Sequence, residues 1–227
     1  MTKQALNALH ARMVFGRRIR VLSQHIAAQL PEGSVLDVGC GDGTLAQAVM
    51  AINPKTSFQG IDVFLRPSVA IPAQVYDGRT IPFPDDAFDW VTICDVLHHT
   101  DDPALVLAEC ARVARRGVVI KDHLREGFLA GPVLRLMDWV GNRGHDVRLP
   151  YNYLSRREWN AIFARIGVTP ARWEQRLHIY PAPFTFIFDR ALHFVATVTK
   201  QPQAQTADRD GADHPVSASV TARGATA

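Results

Sequence analysis

Cysteine is scarce: Cys40, Cys94 and Cys110 are the only three, an odd number with no C-x-x-C pair. That excludes a disulfide framework and a cysteine zinc centre, and it fits a reducing cytoplasm. No apolar run reaches the roughly 18 residues that a membrane-spanning helix needs. The opening MTKQALNALHARM has neither an apolar core nor a small-residue cleavage site, so no secretory signal is expected. A large excess of one charge is missing too. The net charge of +3 is weak for a nucleic-acid binder, and no nucleic-acid partner is expected. The asymmetry sits at the ends. Residues 1–33 form a basic helical segment with Lys3, Arg12, Arg17, Arg18 and Arg20 against Glu32. It reads as a solvated face, or as one turned to an anionic substrate or a membrane surface. Residues 201–227 lack aromatics and hold only Val216 and Val220 as branched aliphatics, so a disordered tail is expected.

What is present between them is globular: 47% apolar and 21% charged residues over the whole chain. Strand and helix signals alternate. Ser34–Gly39 is a short apolar run ending in glycine. Leu45, Ala48, Val49 and Ile52 follow at helical spacing and stop before Pro54. Ser57–Val63, Gln74–Asp77, Phe88–Cys94 and Gly117–Lys121 read as further strands. Asp102 and Pro103 supply an N-cap and first helical residue for a helix to about Arg116. Ser155 and Glu158 make a capping box, Trp159, Ile162, Phe163 and Ile166 line one face, and Gly167 supplies the stop. Late strands are expected near Arg172–Ile179 and His193–Thr199. This order predicts an α/β, Rossmann-like, doubly wound and mostly parallel sheet over residues 34–200, with helices on both faces. Such sheets bind ligands beyond the carboxyl ends of their strands.

One loop lies at such an end. Asp37, Gly39, Gly41 and Gly43 occupy a strand-to-helix turn in which the backbone can come close to a ligand. A dinucleotide fingerprint needs a third glycine where Thr44 stands, and no Gly-Lys-Ser/Thr follows for a Walker loop. A carboxylate beside the loop would repel a pyrophosphate and suit a ligand carrying an ammonium and a sulfonium. Asp62, which ends the next strand, reads either as an acceptor for two ribose hydroxyls or as an ordinary turn residue.

VLDVGCGDGTLA, then GID, then YDGRTIPFPDDAFDWVTICDVLHHTDDP resembles the class I S-adenosylmethionine-dependent methyltransferases, near the quinone-biosynthesis group. The likeness covers Ser34 to His123. It implies S-adenosylmethionine as cofactor. Asp37, Gly39, Cys40, Gly41 and Gly43 would hold its methionine part, Asp62 with Val63 the ribose, and Asp77 and Gly78 the adenine edge. Cys94 and Asp95 would lie beside the methionine part and the acceptor. Leu97, His98 and His99 resemble the family's loop beside the cofactor.

A proton-bearing acceptor needs a base, and His98, His99, Asp122 and His123 follow adjacent strands where one pocket can gather them. Each histidine alone also reads as a satisfied structural residue, and the cysteines as core. Residues 124–154 are expected to form an acceptor lid, with Gly141–Asp146 as its hinge, or a plain packing helix and loop. Pro181–Asp189 could line a pocket or touch a membrane, though such runs are more often core. The expected activity is methyl transfer to a small molecule, with an apolar or lipid-like acceptor as one option, in the cytoplasm, with peripheral membrane contact as its only membrane association. The expectation covers no metal. Nucleic-acid base methylation is disfavoured, since no Pro-Pro-Tyr or Pro-Cys motif follows the fourth strand. The alternatives are a non-catalytic cofactor-binding sensor or partner subunit, and a nicotinamide oxidoreductase.

Overall fold

The structure, a computed structural model, describes residues 3–142 and 150–200. Helix α1 (Lys3–Ala27) leads into strand β1 (Gly33–Val38) and helix α2 (Thr44–Ile52). Strands β2 (Thr56–Asp62), β3 (Ala73–Val75) and β4 (Phe88–Cys94) follow, then a single 3-10 turn at Leu97–His99. Helix α3 (Pro103–Val113), β5 (Ala114–His123), α4 (Ala130–Asn142), α5 (Arg156–Arg165), β6 (Val168–Gln175), α6 (Thr185–Phe188) and β7 (His193–Lys200) complete the described chain. The strands form one sheet in the order β3-β2-β1-β4-β5-β7-β6. The first five are parallel, and β7 runs antiparallel to both β5 and β6.

The central strands read as continuous apolar runs because both faces of the sheet are covered. Leu22, Ile26 and Leu30 from α1 and its exit pack with Ala46 and Val49 of α2 on one face. Val106, Leu107 and Cys110 of α3 and Trp159 and Phe163 of α5 pack on the other. The amino-terminal helix is therefore part of the same core. Trp159 and Trp173 both meet Phe194, at 5.2 and 4.1 Å between ring centroids, so α5, β6 and β7 share one aromatic stack. Truncating Trp159, which is 1% exposed, would cost about 3–5 kcal/mol.

Local chemistry sets several boundaries. Asp102 accepts from the amides of Ala104 and Leu105, and Pro103 follows it. The Ser155–Glu158 capping box is formed in both directions. Three expectations are corrected. The third helix stops at Val113 rather than near Arg116, because β5 starts at Ala114 and pairs with Phe88. α2 buries Ala46 and Val49 while Ile52 is half exposed, since its last turn runs past the sheet. The phenylalanine-rich run is surface and not core: Phe184, which precedes the short α6, and Phe186 and Ile187 within it are all exposed. Gly141 and Asn142, expected in a hinge, continue α4, and residues 143–149 lie outside the described part. So does the tail from residue 201.

Candidate active site

The loop after β1 is built for close approach. Gly39 has φ +73°, and a Cβ there would run into Val96 Cγ2. Gly41 has φ +58°, with nothing within 4 Å of where its Cβ would stand, so its backbone opens on free space. The loop is pinned from below. The amides of Gly39 and Cys40 donate to the carbonyl of Ile61 at 2.8 and 3.2 Å. Gly41 N–H donates to Asp62 Oδ2 at 2.8 Å, and Asp62 Oδ1 accepts from Phe64 N–H at 3.2 Å. Asp62 thus holds the glycine loop in place as well as ending β2. Each carboxylate oxygen keeps a lone pair for a hydroxyl donor.

Beneath the loop, Asp37 is 5% exposed and accepts from Thr92 Oγ1 at 2.7 Å. Burial raises its pKa to about 7, the Thr92 bond opposes the shift, and Asp62 adds to it. A carboxylate in this state gains from a cation brought to it, which fits the ammonium of a methionine moiety. On the far side, a Cβ on Gly78 (φ +77°) would crowd Val63 Cγ1 at 2.9 Å, so these two residues are neighbours, with Val63 exposed. Asp77 accepts from the amides of Thr80 and Arg79, which holds its carboxyl below the usual range. Cys40 is a buried thiol pushed up to about 12 by desolvation and by Asp37 and Asp62, and it packs against Gly60. Burial, then Asp37 and Asp95, raise the Cys94 thiol.

The carboxyl ends of β4 and β5 bring the expected acid–base residues together. His98 Nδ1 lies 2.7 Å from Asp122 Oδ1. Asp122 also accepts from the amides of Leu97 (3.1 Å) and His123 (2.6 Å). Burial opposes charge on His98, but Asp122, with Asp95 and Asp138, holds its pKa above the ordinary value. Asp122 is lowered against its own burial by His98 and by its bonds to His123 and His98. Each side chain thus favours the charged form of the other. His123 Nδ1 stands 3.4 Å from His98 Nδ1, and burial with Lys121 and His98 lowers its pKa to about 4. His99 is lowered by burial and by His98, and is neutral. Its Nε2 faces Asp138 Oδ1 at 3.7 Å, and its Nδ1 is buried with no hydrogen-bond partner. Tyr153 Oη donates to Asp138 Oδ2 at 2.8 Å.

Asp95, with φ +57°, bonds both Lys121 Nζ and Arg18. Burial would raise its pKa, but Lys121 and Arg18 hold it well below the usual range. It joins α1 to β5 through these two cations. Two groups, Asp95–His98–Asp122–His123 and His98–His99–Asp138, bring ligand atoms within 4.8 Å of one another. In the first, two cations and three N–H donors already hold the carboxylates.

Sequence reading gave Lys121, Asp138 and His193 no role of their own, and named Arg18 only within the basic segment and Tyr153 only within the lid. Lys121 carried a signal, as a cation closing the apolar run GVVI, and it is 1% exposed. His193 accepts from it at 3.4 Å, across the antiparallel β5–β7 pair. The segment expected as a lid contributes Leu134 and Tyr153 to a small core of its own, and sets Asp138 against the histidines.

A mostly parallel sheet with an antiparallel β7, a glycine loop after β1 and an acid at the end of β2 define a Rossmann-like α/β fold. Residues 36–120 match the family model described as a methyltransferase domain. Residues 36–120 are thus similar to a methyltransferase domain, and the relatives that follow are methyltransferases of quinone biosynthesis. It is 33% identical over 102 residues to a ubiquinone biosynthesis O-methyltransferase of Thiobacillus denitrificans, covering 40% of this chain and 43% of the relative. It is 29% identical over 144 residues to the ubiquinone/menaquinone biosynthesis C-methyltransferase UbiE of Cupriavidus metallidurans, covering 55% and 59%. The chain thus matches only about half the length of these relatives. A solved chain from the complex of the Haloferax volcanii Trm112 methyltransferase activator with a methyltransferase shares the fold. Its TM-score is 0.59 at 20% identity, over 79% of this chain and 88% of that one. No described helix is long and apolar enough to cross a membrane.

Proposed function

We propose that the protein binds S-adenosylmethionine between the Gly39–Gly43 loop, Asp62 and Gly78, and methylates a small apolar acceptor held beside His98 and His99. The observation that carries this reading is the meeting of the glycine loop and its buried Asp37 with a histidine–carboxylate cluster at the same sheet edge. The relatives named for O- and C-methyl transfer in ubiquinone biosynthesis support an apolar acceptor of small-molecule size.

When bound, the cofactor supplies an electrophilic methyl group on a sulfonium. The residues of this chain then bind, orient and manage one proton. Gly41 leaves room for the backbone to approach, Asp37 balances the ammonium, and Asp62 receives ribose hydroxyls while keeping the loop in place. His98 stays charged because Asp122 fixes it, and that charge helps keep His99 neutral. Neutral His99 is the base for the acceptor proton, and Asp138 stands 3.7 Å away to balance the imidazolium that forms. α4 and Tyr153 exclude water from the cluster.

Labelled S-adenosylmethionine and a panel of hydroxylated aromatic acceptors test the reading. Label should pass to an acceptor with stoichiometric S-adenosylhomocysteine. Cofactor binding without transfer to any acceptor would leave a binding module instead. Tight NADH binding with no affinity for either adenosyl compound would overturn both.

A further inference from the structure

We propose that His25 is a proton-operated clasp that holds α1 against the chain between β6 and α6 and loosens as pH rises past neutrality. That chain, residues 176–180, lies outside the sheet, and Arg176 and His178 take φ of +60° and +55°. An irregular backbone of this kind has no ladder to pair with, so side chains must satisfy it. α1 supplies most of them. Arg17 donates from Nε to the carbonyl of Ile179 at 3.1 Å and from Nη2 to that of His178 at 3.0 Å. His25 Nε2 lies 3.1 Å from the carbonyl of Leu177. From the other side, Asp189 accepts from the amides of Ile179 and Tyr180. Between these bonds Leu177 and Ile179 share an apolar cluster with Leu22 and Ile26 of α1.

The ring of His25 decides the state of this strap. Its Nε2 faces a carbonyl, and its Nδ1 stands 3.0 Å from Glu174 Oε1 of β6. A carbonyl and a carboxylate only accept, and a neutral imidazole has a single N–H. Only the imidazolium donates to both at once. Deprotonation sets a ring lone pair against one of the two oxygens, and that contact must open. The surroundings suit the cation. His25 stands in the last turn of α1, where the helix dipole favours positive charge. Gln29 Nε2 donates to Glu174 Oε2 at 3.3 Å. The opposing cation is Arg172, whose Nη2 is 3.9 Å from Glu174 Oε2 and whose Nη1 donates to the carbonyl of Ala28. Arg176 and His178 of the strap are exposed, and α2, packed on α1, carries no charged residue. The side chains of His25 and Glu174 are 23% and 30% exposed, so water can take the proton. On the same helix, Arg18 bonds Asp95 at the carboxyl end of β4, so the clasp bears on a cover of the candidate site.

The test is amide hydrogen exchange of the full chain, without ligand, on either side of neutrality, each rate corrected for the intrinsic pH dependence of exchange. Ile179 and Tyr180 report directly, because Asp189 holds their amides. Their opening should be roughly tenfold more frequent on the alkaline side, the scale of one charge-assisted hydrogen bond. Amides of α3, on the other face of the sheet, should show no such change. Glu174→Gln gives Nδ1 an amide donor, so neutral His25 keeps both bonds and the strap should stay protected on both sides. His25→Gln should also remove the pH dependence. Equal corrected rates in the wild type would overturn the proposal. So would a pH dependence that persists in either variant, since Asp37 or His98 would then be its source. The test needs no cofactor, so its outcome is separate from that of the proposed function.

Discussion

His98 Nδ1 stands 2.7 Å from Asp122 Oδ1, with the two side chains 2% and 1% exposed. The pair ties the turn after β4 to the end of β5. Both groups have left water, so each is stable as an ion only because the other is there.

Asp122→Asn should therefore destabilise the fold by about 3 kcal/mol near neutral pH, since it leaves a buried imidazole without its counter-charge. The raised pKa of His98 adds stability that is full below its ordinary 6.5 and is lost as pH rises through the folded value. The lowered pKa of Asp122 adds stability present above 3.8 and lost as pH falls through its folded value. The gap between wild type and variant in denaturant titrations should be widest between these limits and narrow on both sides. A gap that does not change with pH would mean that the pair is not ionic.

His99→Gln should lower kcat by roughly 100-fold or more and leave the dissociation constant of S-adenosylhomocysteine unchanged, if His99 takes the acceptor proton. The residual rate should rise with pH, as the acceptor ionises without help. Loss of cofactor affinity in place of rate would move His99 from the acceptor to the cofactor.

Asp37→Asn should strengthen the free protein and weaken its ligand. The folded pKa is raised from 3.8 to about 7, so the free wild type loses stability as pH climbs between these values. The variant escapes that loss and keeps an oxygen for Thr92. Its advantage should be absent near pH 3, grow toward pH 7 and reach roughly 1–3 kcal/mol. S-adenosylhomocysteine binding should fall by about tenfold or more, because the ammonium loses its counter-charge. Calorimetry of wild type in buffers of different ionisation enthalpy should show proton release on binding near pH 6.5. Unchanged affinity would remove Asp37 from the site.

Asp62→Ala should weaken cofactor binding by roughly 1.5–3 kcal/mol, the scale of hydrogen bonds to a charged group. It should also free the Gly41 amide, which donates to Asp62 at 2.8 Å. Hydrogen exchange at Gly41 should then speed up while the β1 amides stay protected. Slow exchange at Gly41 in the variant would show that the loop holds itself.

The sheet was legible because its central strands announce themselves by composition. β4 lies where FDWVTIC stands, and the caps at Asp102 and Ser155 are local hydrogen bonds between residues three apart or fewer. The glycine loop was legible for the same reason, since positive φ at Gly39, Gly41 and Gly43 is written in residue type. Burial of the phenylalanine-rich run was misjudged because exposure depends on what packs above a segment, and nothing in PAPFTFIFD encodes that. The acid–base cluster lies between. His98, His99, Asp122 and His123 were visible as residues at strand ends, but their protonation was not. Asp122, 24 residues away, with Asp95 and with Asp138 on α4, raises the pKa of His98, while burial and His98 lower that of His99 against the pull of Asp138. Asp95 shows the same limit: Arg18 lies 77 residues before it and Lys121 26 after. By itself the sequence determined the strands, the caps and the loop, because those depend on neighbours along the chain. Only the tertiary structure decided which ionisable groups share a dry space, and so which are charged, because electrostatic interaction depends on distance and burial and not on order.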